Sequence, residues 1–197
     1  MKVIVYAIAI ICLLNSAWAE RFAGGGTSAT RKFNLKQGAY VCEIKHNNSE
    51  GHFSVWFQDN YGDRELLANE IGKFNGKVLA VAGKDDSYFF NVNAKGSWSI
   101  DISKPSMLLT RRNFSGRGPD VSPLIELDED TWQFKMTHKG RGNFIVKVWN
   151  ELGTAYESLA ITSGNFDGSK AVTLPKGKYI IEIDADGDWT VIVKPHE

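Results

Sequence analysis

Residues 88–102 have the sequence YFFNVNAKGSWSIDI, and residues 179–193 have the sequence YIIEIDADGDWTVIV. The two stretches lie 91 positions apart, and each contains an alternating apolar run, a glycine-containing turn and a second alternating run that begins with tryptophan. Alternation with a period of two is typical of half-buried β-strands. We interpret each stretch as a core-forming hairpin, the last of its domain, with Trp98 and Trp189 pointing inward.

The similarity extends over most of the chain. Residues 24–105 align with residues 116–195 at an offset that moves only between 92 and 91 positions, and the moves fall between predicted strands, where loops tolerate insertion. The aligned pairs include Gly24 with Gly116, Tyr40 with Trp132, His46 with His138, Phe53 with Phe144 and Trp98 with Trp189. Two copies are too few for a solenoid. The alignment predicts two homologous domains, 24–105 and 114–197, joined by a linker at 106–113.

The fold class predicted for both copies is all-β. Strands are expected near 32–36, 39–46, 52–58, 65–71, 77–82, 87–93 and 97–103, and again near 124–127, 131–137, 143–149, 155–162, 169–174, 178–184 and 188–194. Glycine- and asparagine-containing turns separate them. This pattern favours two tandem antiparallel β-sandwich domains with a jelly-roll-like layout. The glycines at 24–26 and 116–118 are interpreted as a flexible lead-in to each sandwich, since no helix follows to make them a phosphate cradle.

The first 19 residues have the pattern of a secretory signal peptide. Lys2 is followed by the apolar run 3–14 and by the small-x-small cleavage pattern of residues 17–19. The apolar run is too short to span a bilayer comfortably, so no membrane span is expected in the mature chain. The predicted location is the periplasm or the extracellular space. Cys42 is then the only cysteine of the mature chain, so no internal disulfide is expected, which favours a bacterial source.

Charge excludes one class of partner. The chain has 23 basic and 23 acidic side chains, and no basic run of the kind that binds nucleic acid. No nucleic-acid partner is therefore expected.

The recurring unit contains Gly-x-Gly, a strand that ends in histidine, a Phe-x-Gly turn and the pattern Tyr-x-x-x-Val/Ile-x-Ala-x-Gly-x-Trp. This unit resembles a repeated domain of uncharacterised exported bacterial proteins, over nearly the whole mature chain. Its layout is also similar to the small jelly-roll accessory domains of secreted hydrolases. The resemblance implies a non-catalytic role in binding or secretion.

Three alternating carboxylates, Asp184, Asp186 and Asp188, are weak metal candidates. Their spacing is similar to that of calcium loops, but position six, counted from Asp184, is Trp189, and no glutamate closes the loop. We favour a two-residue turn of Asp-Gly type and no cofactor, and keep calcium as the alternative. The equivalent histidines, His46 and His138, are expected to make a hydrogen bond at a strand end rather than to bind zinc.

No set of residues qualifies as a catalytic site. No serine lies in a strand-turn-helix elbow, and Cys42 is expected in the core. The acidic residues 126–130 cluster on one predicted turn and are interpreted as solvated. We therefore predict that the chain is not an enzyme.

Candidate binding residues lie off the core phase. Trp56 and Trp149 project from the outer faces of their sheets, and Tyr61 lies in the turn after Trp56. Exposed aromatic residues are common platforms for sugars and proteins. The alternative is that the outer faces of the two domains pack together and bury these side chains.

The function predicted from the sequence is an exported, non-catalytic binding or interaction protein, whose partner is a polysaccharide or an envelope protein. Two alternatives remain open. One is a structural envelope protein that has copies of itself as partners. The other is a small hydrolase with a site between the two domains.

Overall fold

The computed structural model describes residues 19–106 and 110–196, so the predicted signal peptide lies outside the described residues except for Ala19. The described residues form strands and no helix. The first group is β1 (Ala19–Gly25), β2 (Ser28–Ala29), β3 (Phe33–Leu35), β4 (Gly38–His46), β5 (His52–Asp59), β6 (Arg64–Ile71), β7 (Phe74–Ala82), β8 (Asp86–Asn93) and β9 (Ser97–Ser103). The second is β10 (Asn113–Arg117), β11 (Asp120–Val121), β12 (Ile125–Leu127), β13 (Thr131–Lys139), β14 (Asn143–Asn150), β15 (Tyr156–Ser163), β16 (Phe166–Thr173), β17 (Gly177–Ala185) and β18 (Asp188–Pro195).

Each group of nine strands forms two antiparallel sheets. Sheet 1A has the order β1-β9-β4-β7, and sheet 1B has the order β2-β8-β5-β6 with β3 beside β8. Sheet 2A has the order β10-β18-β13-β16, and sheet 2B has the order β11-β17-β14-β15 with β12 beside β17. Adding nine to each strand number of the first pair gives the second pair. We call β1–β9 unit 1 and β10–β18 unit 2; the all-β prediction of two antiparallel sandwiches is confirmed.

The stretches 88–102 and 179–193 are not hairpins, so that prediction is wrong. Strand β8 belongs to sheet 1B and β9 to sheet 1A, and the same holds for β17 and β18 in sheets 2B and 2A. The chain therefore crosses from one sheet to the other at Lys95-Gly96 and at Asp186-Gly187. The favoured two-residue hairpin turn needs a positive φ at both residues, and no described residue other than glycine has one.

Each unit has its own core between its two sheets. In unit 1, Ile44, Phe53 and Phe90 are fully buried within one apolar cluster. Cys42 belongs to this cluster as a free cysteine, and burial raises the pKa of its thiol well above the usual value. Unit 2 has an equivalent cluster that contains Phe134. The predicted core positions of Cys42, Trp98 and Trp189 are therefore confirmed.

The glycines at 24–26 are not a flexible lead-in, because Gly24 and Gly25 lie in strand β1. Gly24 is paired with Trp98 of β9, and a Cβ atom at Gly24 would lie only 2.6 Å from Cζ2 of the indole. The indole Nε1 of Trp98 donates a hydrogen bond of 2.9 Å to the carbonyl oxygen of Gly26, whose φ is 71°. The Gly-x-Gly sequence thus makes room for the tryptophan and accepts a hydrogen bond from its indole N–H.

Unit 2 repeats this arrangement with its own residues. A Cβ atom at Gly116 would lie 2.6 Å from Cζ2 of Trp189, and Trp189 Nε1 donates to the carbonyl oxygen of Gly118 at 2.8 Å. In each unit, the tryptophan near the start of the last strand is therefore covered by the first strand, so the two terminal strands of the unit pack together.

The two equivalent histidines are buried at strand ends. Nδ1 of His46 lies 2.7 Å from the carbonyl oxygen of Gly72, and Nδ1 of His138 lies 2.7 Å from that of Gly164. The predicted hydrogen bond at each strand end is confirmed.

Candidate functional site: the cleft between the two units

The units meet through one outer face each. The outer face of sheet 1A packs on the outer face of sheet 2B through an apolar cluster. Its buried members are Ala39, Leu79, Val121, Leu124 and Ile180, with Val41, Val81 and Trp149 packed against them. Beside the cluster, the backbone N–H of Lys77 donates to the carbonyl oxygen of Pro119 at 3.0 Å, and Lys77 Nζ lies 3.3 Å from Asp120 Oδ1. The packing of outer faces, expected as an alternative, occurs for this one pair of faces.

A cleft of about 860 Å³ opens beside this contact. One wall comes from β6 and β7 of unit 1, and the other comes from β14, β15 and β17 of unit 2. Its lining contains the acidic residues Glu65, Glu70, Glu182, Asp184 and Asp186, the basic residues Lys73, Lys77 and Lys147, and the aromatic residues Phe74, Trp149 and Tyr156. Both units therefore contribute polar side chains to one concave surface.

The centre of the unit 2 wall is an aromatic pair. Trp149 and Tyr156 are cross-strand partners on β14 and β15, with ring centroids 4.4 Å apart and planes inclined at 41°. Trp149 is half-buried, and its Nε1 donates to Glu182 Oε2 at 2.9 Å. Tyr156 is 51% exposed, so one end of the pair is open to a ligand.

A lysine and a carboxylate border this aromatic pair. Lys147 Nζ lies 3.8 Å from Glu182 Oε2, 5.6 Å from the Trp149 ring centroid and 5.2 Å from the Tyr156 ring centroid. Lys147 and Glu182 are opposite each other on β14 and β17, so the sheet register itself fixes this pairing. The wall therefore presents an aromatic surface with a hydrogen-bond acceptor and a donor beside it.

Glu65 comes from β6 on the opposite wall and is half-buried. Its Oε2 accepts a hydrogen bond of 3.3 Å from the backbone N–H of Val81, on the edge strand β7. Loss of water around the carboxyl group raises the pKa of Glu65 to about 7; the charge of Glu182 adds to the increase, and the backbone bond and Lys147 oppose it. Glu65 thus covers the open edge of sheet 1A and faces the charges of unit 2.

Two further carboxylates face each other across the cleft. Desolvation raises the pKa of Glu70 on β6, and the charge of Asp184 adds to this effect. Desolvation also raises the pKa of Asp184 on β17, where Lys147 opposes the shift and Asp186 adds to it. Acidic side chains nevertheless outnumber basic ones in the lining, five to three, so the cleft has an excess of carboxyl groups that the neutral chain as a whole does not have.

Asp186 has a structural role at the rim. Its Oδ2 accepts backbone hydrogen bonds from Gly142 at 2.7 Å and Arg141 at 3.0 Å, and its Oδ1 lies 3.2 Å from Nε2 of His138. The Gly142 bond is the main reason that the pKa of Asp186 is lowered, with further contributions from Arg141 and His138. Asp186 therefore holds the connection between β13 and β14.

The three candidate metal ligands are not brought together. Asp186 is engaged as described, Asp188 lies 3.6 Å from Nη1 of Arg117, and Asp184 lines the cleft. Within residues 19–106 and 110–196, no group of three or more histidine, cysteine, aspartate and glutamate side chains is arranged to hold a metal ion.

The three candidate binding residues lie in three different places. Trp149 lines the cleft. Trp56 projects from the outer face of sheet 1B, half-buried, with Arg64 Cζ 4.5 Å from its ring centroid. Tyr61 lies in the turn between β5 and β6, 79% exposed, with Lys84 Nζ 4.0 Å from its ring centroid. Trp56 and Tyr61 do not line the cleft.

Sequence reasoning missed Tyr156, Glu182 and Glu65. Tyr156 was detectable, because a hairpin that joins β14 to β15 places it opposite Trp149. Glu182 follows from the period of β17 once its neighbour strand is known. Glu65 had no sequence signal, since its surroundings come from the packing of unit 2 against unit 1.

The part of the chain that the structure describes contains no candidate membrane-spanning helix. No protein-family model matches this sequence, and no curated protein is significantly similar to it.

Some solved structures show a distant likeness. A triple jelly-roll protein of an archaeal virus turret is 13% identical, with a TM-score of 0.36, and the match covers 92% of this chain and 59% of that one. The N-terminal CBM22-1-CBM22-2 tandem domain of Paenibacillus barcinonensis Xyn10C is 11% identical over 89% of this chain and 93% of that one, with a TM-score of 0.27. This chain thus spans less than two thirds of the viral protein. At such identities and TM-scores, neither likeness bears on function.

Proposed function

We propose that this chain is an exported, non-catalytic binding protein of the periplasm or the extracellular space, and that its cleft binds a glycan without acidic groups. The observation that carries the proposal is the aromatic pair of Trp149 and Tyr156, which lies in the cleft beside Glu182 and Lys147. Aromatic rings pack on the apolar faces of sugars, and carboxylates and ammonium groups hydrogen-bond with sugar hydroxyls.

The shape of the cleft supports the same proposal. Ligand sites are usually concave, with volumes of roughly 300–1,000 Å³, and the cleft has about 860 Å³. The carboxylates on both walls would repel a ligand with acidic groups, since like charges in a partly desolvated site are unfavourable. A neutral glycan could lie between the walls without this repulsion and contact both units.

The test is isothermal titration calorimetry of the mature chain with soluble glucan, xylan and mannan, each titrated separately. We expect one of these glycans to bind, and Tyr156→Ala to bind it roughly five-fold more weakly, since loss of one stacking contact costs about 1 kcal/mol. Tyr61→Ala is the matched control, because Tyr61 is exposed and lies outside the cleft. The proposal is wrong if none of the three glycans binds, or if the two variants bind equally well.

A hydrolase is a second candidate because of one pair of carboxylates. Hydrolysis of a glycosidic bond uses one carboxyl group that is protonated near neutral pH and a second that is ionised. Glu65, with its pKa raised to about 7, and Glu182 face each other in the cleft. We favour binding without catalysis, because Glu65 accepts a hydrogen bond from Val81 and Glu182 accepts one from Trp149.

An assay for new reducing ends separates the two functions. The binding protein should release none from glucan, xylan or mannan during prolonged incubation. Release that disappears in Glu65→Gln and in Glu182→Gln, while both variants still bind the glycan, would establish the hydrolase instead.

A further inference from the structure

The outer face of sheet 1B is the counterpart of the face of sheet 2B that forms the cleft wall, but it has a different lining. Trp56 is opposite Asn91 in unit 1, where Lys147 is opposite Glu182 in unit 2. Asn93 likewise takes the place of Asp184, since each lies two residues further along its strand. Two carboxylates of unit 2 are therefore amides in unit 1, and a lysine is replaced by a tryptophan.

This face carries positive charge over aromatic rings. Arg64 Cζ lies 4.5 Å from the Trp56 ring centroid, and Lys32 Nζ lies 5.8 Å from the Phe89 ring centroid. Neither cation forms an ion pair with the described parts of the chain. The outward positions of β5, β6 and β8, which alternate with the core positions, hold no carboxylate.

The face is also left open by the contact between the units. That contact uses sheet 1A, through residues such as Leu79, and buries the outer face of sheet 2B at Ile180. Phe89, the counterpart of Ile180 in the alignment, is only half-buried. Ile180 is buried by the contact with unit 1, whereas the equivalent position in unit 1, Phe89, is accessible to a ligand.

We propose that the outer face of sheet 1B is a second ligand site, independent of the cleft, and that it binds a glycan with carboxylate groups. The planar guanidinium of Arg64 suits a carboxylate, because its N–H groups form paired, charge-assisted hydrogen bonds. The rings of Trp56 and Phe89 offer apolar surface to the sugar, and the amides of Asn91 and Asn93 offer donors and acceptors to its hydroxyls.

Charge complementarity selects this ligand. A neutral sugar would leave Arg64 and Lys32 without a counter-charge, whereas a uronate supplies one at each residue of its chain. An anionic glycan that the acidic cleft repels is therefore bound on the outer face of sheet 1B, and the protein has two sites of different specificity.

The test titrates the mature chain with oligogalacturonate and, separately, with a neutral glucan oligosaccharide of the same length. Arg64→Gln removes a charge from an exposed side chain and is not expected to disturb the fold. We expect Arg64→Gln and Trp56→Ala each to weaken oligogalacturonate binding about ten-fold, and binding to weaken as salt screens the charges. Tyr156→Ala should leave oligogalacturonate binding unchanged.

Three results would overturn the proposal. The first is that oligogalacturonate does not bind, and the second is that Arg64→Gln binds it as tightly as the wild-type chain does. The third is that Tyr156→Ala loses as much affinity for oligogalacturonate as Arg64→Gln does. The last result would move the acidic glycan into the cleft. Failure of this site leaves the cleft proposal intact, because that proposal is tested with neutral glycans and with Tyr156→Ala.

Discussion

Unit 1 and unit 2 share one strand order and one type of core, but their outer faces differ. The outer face of sheet 1A is apolar where it meets unit 2, and the equivalent face of sheet 2A is less apolar. The residues concerned are Val41, Leu79 and Val81 in unit 1, and their counterparts Gln133, Ala171 and Thr173 in unit 2. The inward-facing side chains of the two units are therefore similar because the units share one fold. The outward-facing side chains differ because the two units make different contacts.

The contact between the units joins unlike faces, 1A to 2B. A contact of this kind is heterologous, because it joins two different surfaces. Since the faces of sheets 1A and 2B are already used within one chain, copies of the chain could stack head to tail only by placing sheet 1B against sheet 2A. Sheet 1B offers the rings of Trp56 and Phe89, but sheet 2A answers them with polar side chains such as Gln133 and Thr173, so two apolar faces do not meet there as they do at Leu79 and Ile180. This difference disfavours a structural envelope protein built by stacking of copies.

The largest effect is expected from removing the tryptophan that both units have at equivalent positions, Trp98 and Trp189. Trp98→Ala and Trp189→Ala should each lower the free energy of unfolding by about 3–5 kcal/mol, because each leaves a large cavity under the first strand of its unit. Denaturant unfolding of the two variants measures the effect. A loss in one unit that is several kcal/mol larger than in the other would show that the two cores are not equivalent.

A smaller effect is expected from changes on the outer faces, where the two units differ. Ile180→Ala removes a fully buried side chain at the contact between the units and should cost about 2–4 kcal/mol. Ile192→Ala is the control, because Ile192 is half-buried on the free outer face of sheet 2A and its loss should cost less than about 1 kcal/mol. Equal losses in the two variants would contradict a docked pair of units.

Alternation predicted the faces of the strands correctly, but not their neighbours. The phase of Phe90 and Trp98 places both in one core, yet it does not show that β8 and β9 belong to different sheets. Strand β1 was missed for a related reason. Its glycines resemble a loop until Trp98 is placed above Gly24, and that contact joins residues distant in the sequence.

The candidate site was predicted in part for the same physical reason. Trp149 was found because its phase is outward, and this local property is visible in the sequence. Trp56 was found in the same way and lies on another face, since phase does not tell which outer faces meet. Glu65 was not found, because its pKa is raised mainly by burial and to a lesser extent by the charge of Glu182, and both depend on contacts that the sequence does not show.

The smallest effect expected is on the pH dependence of stability. Glu65 has a pKa of about 7 in the folded chain against an ordinary value of 4.5, so the folded state holds this proton more tightly than the unfolded state. The stability that it contributes is present below the unfolded pKa and is lost as the pH rises through about 7. We expect a decrease on the order of 2 kcal/mol in the free energy of unfolding between about pH 5 and pH 8.

Glu65→Gln should flatten this decrease, because its amide oxygen still accepts the Val81 hydrogen bond but carries no titrating proton. Glu70→Gln, on the same strand and more exposed, should leave most of the decrease in place. Denaturant unfolding at several pH values decides the matter, and a wild-type slope that persists in Glu65→Gln would mean that Glu65 is not the group that causes the decrease.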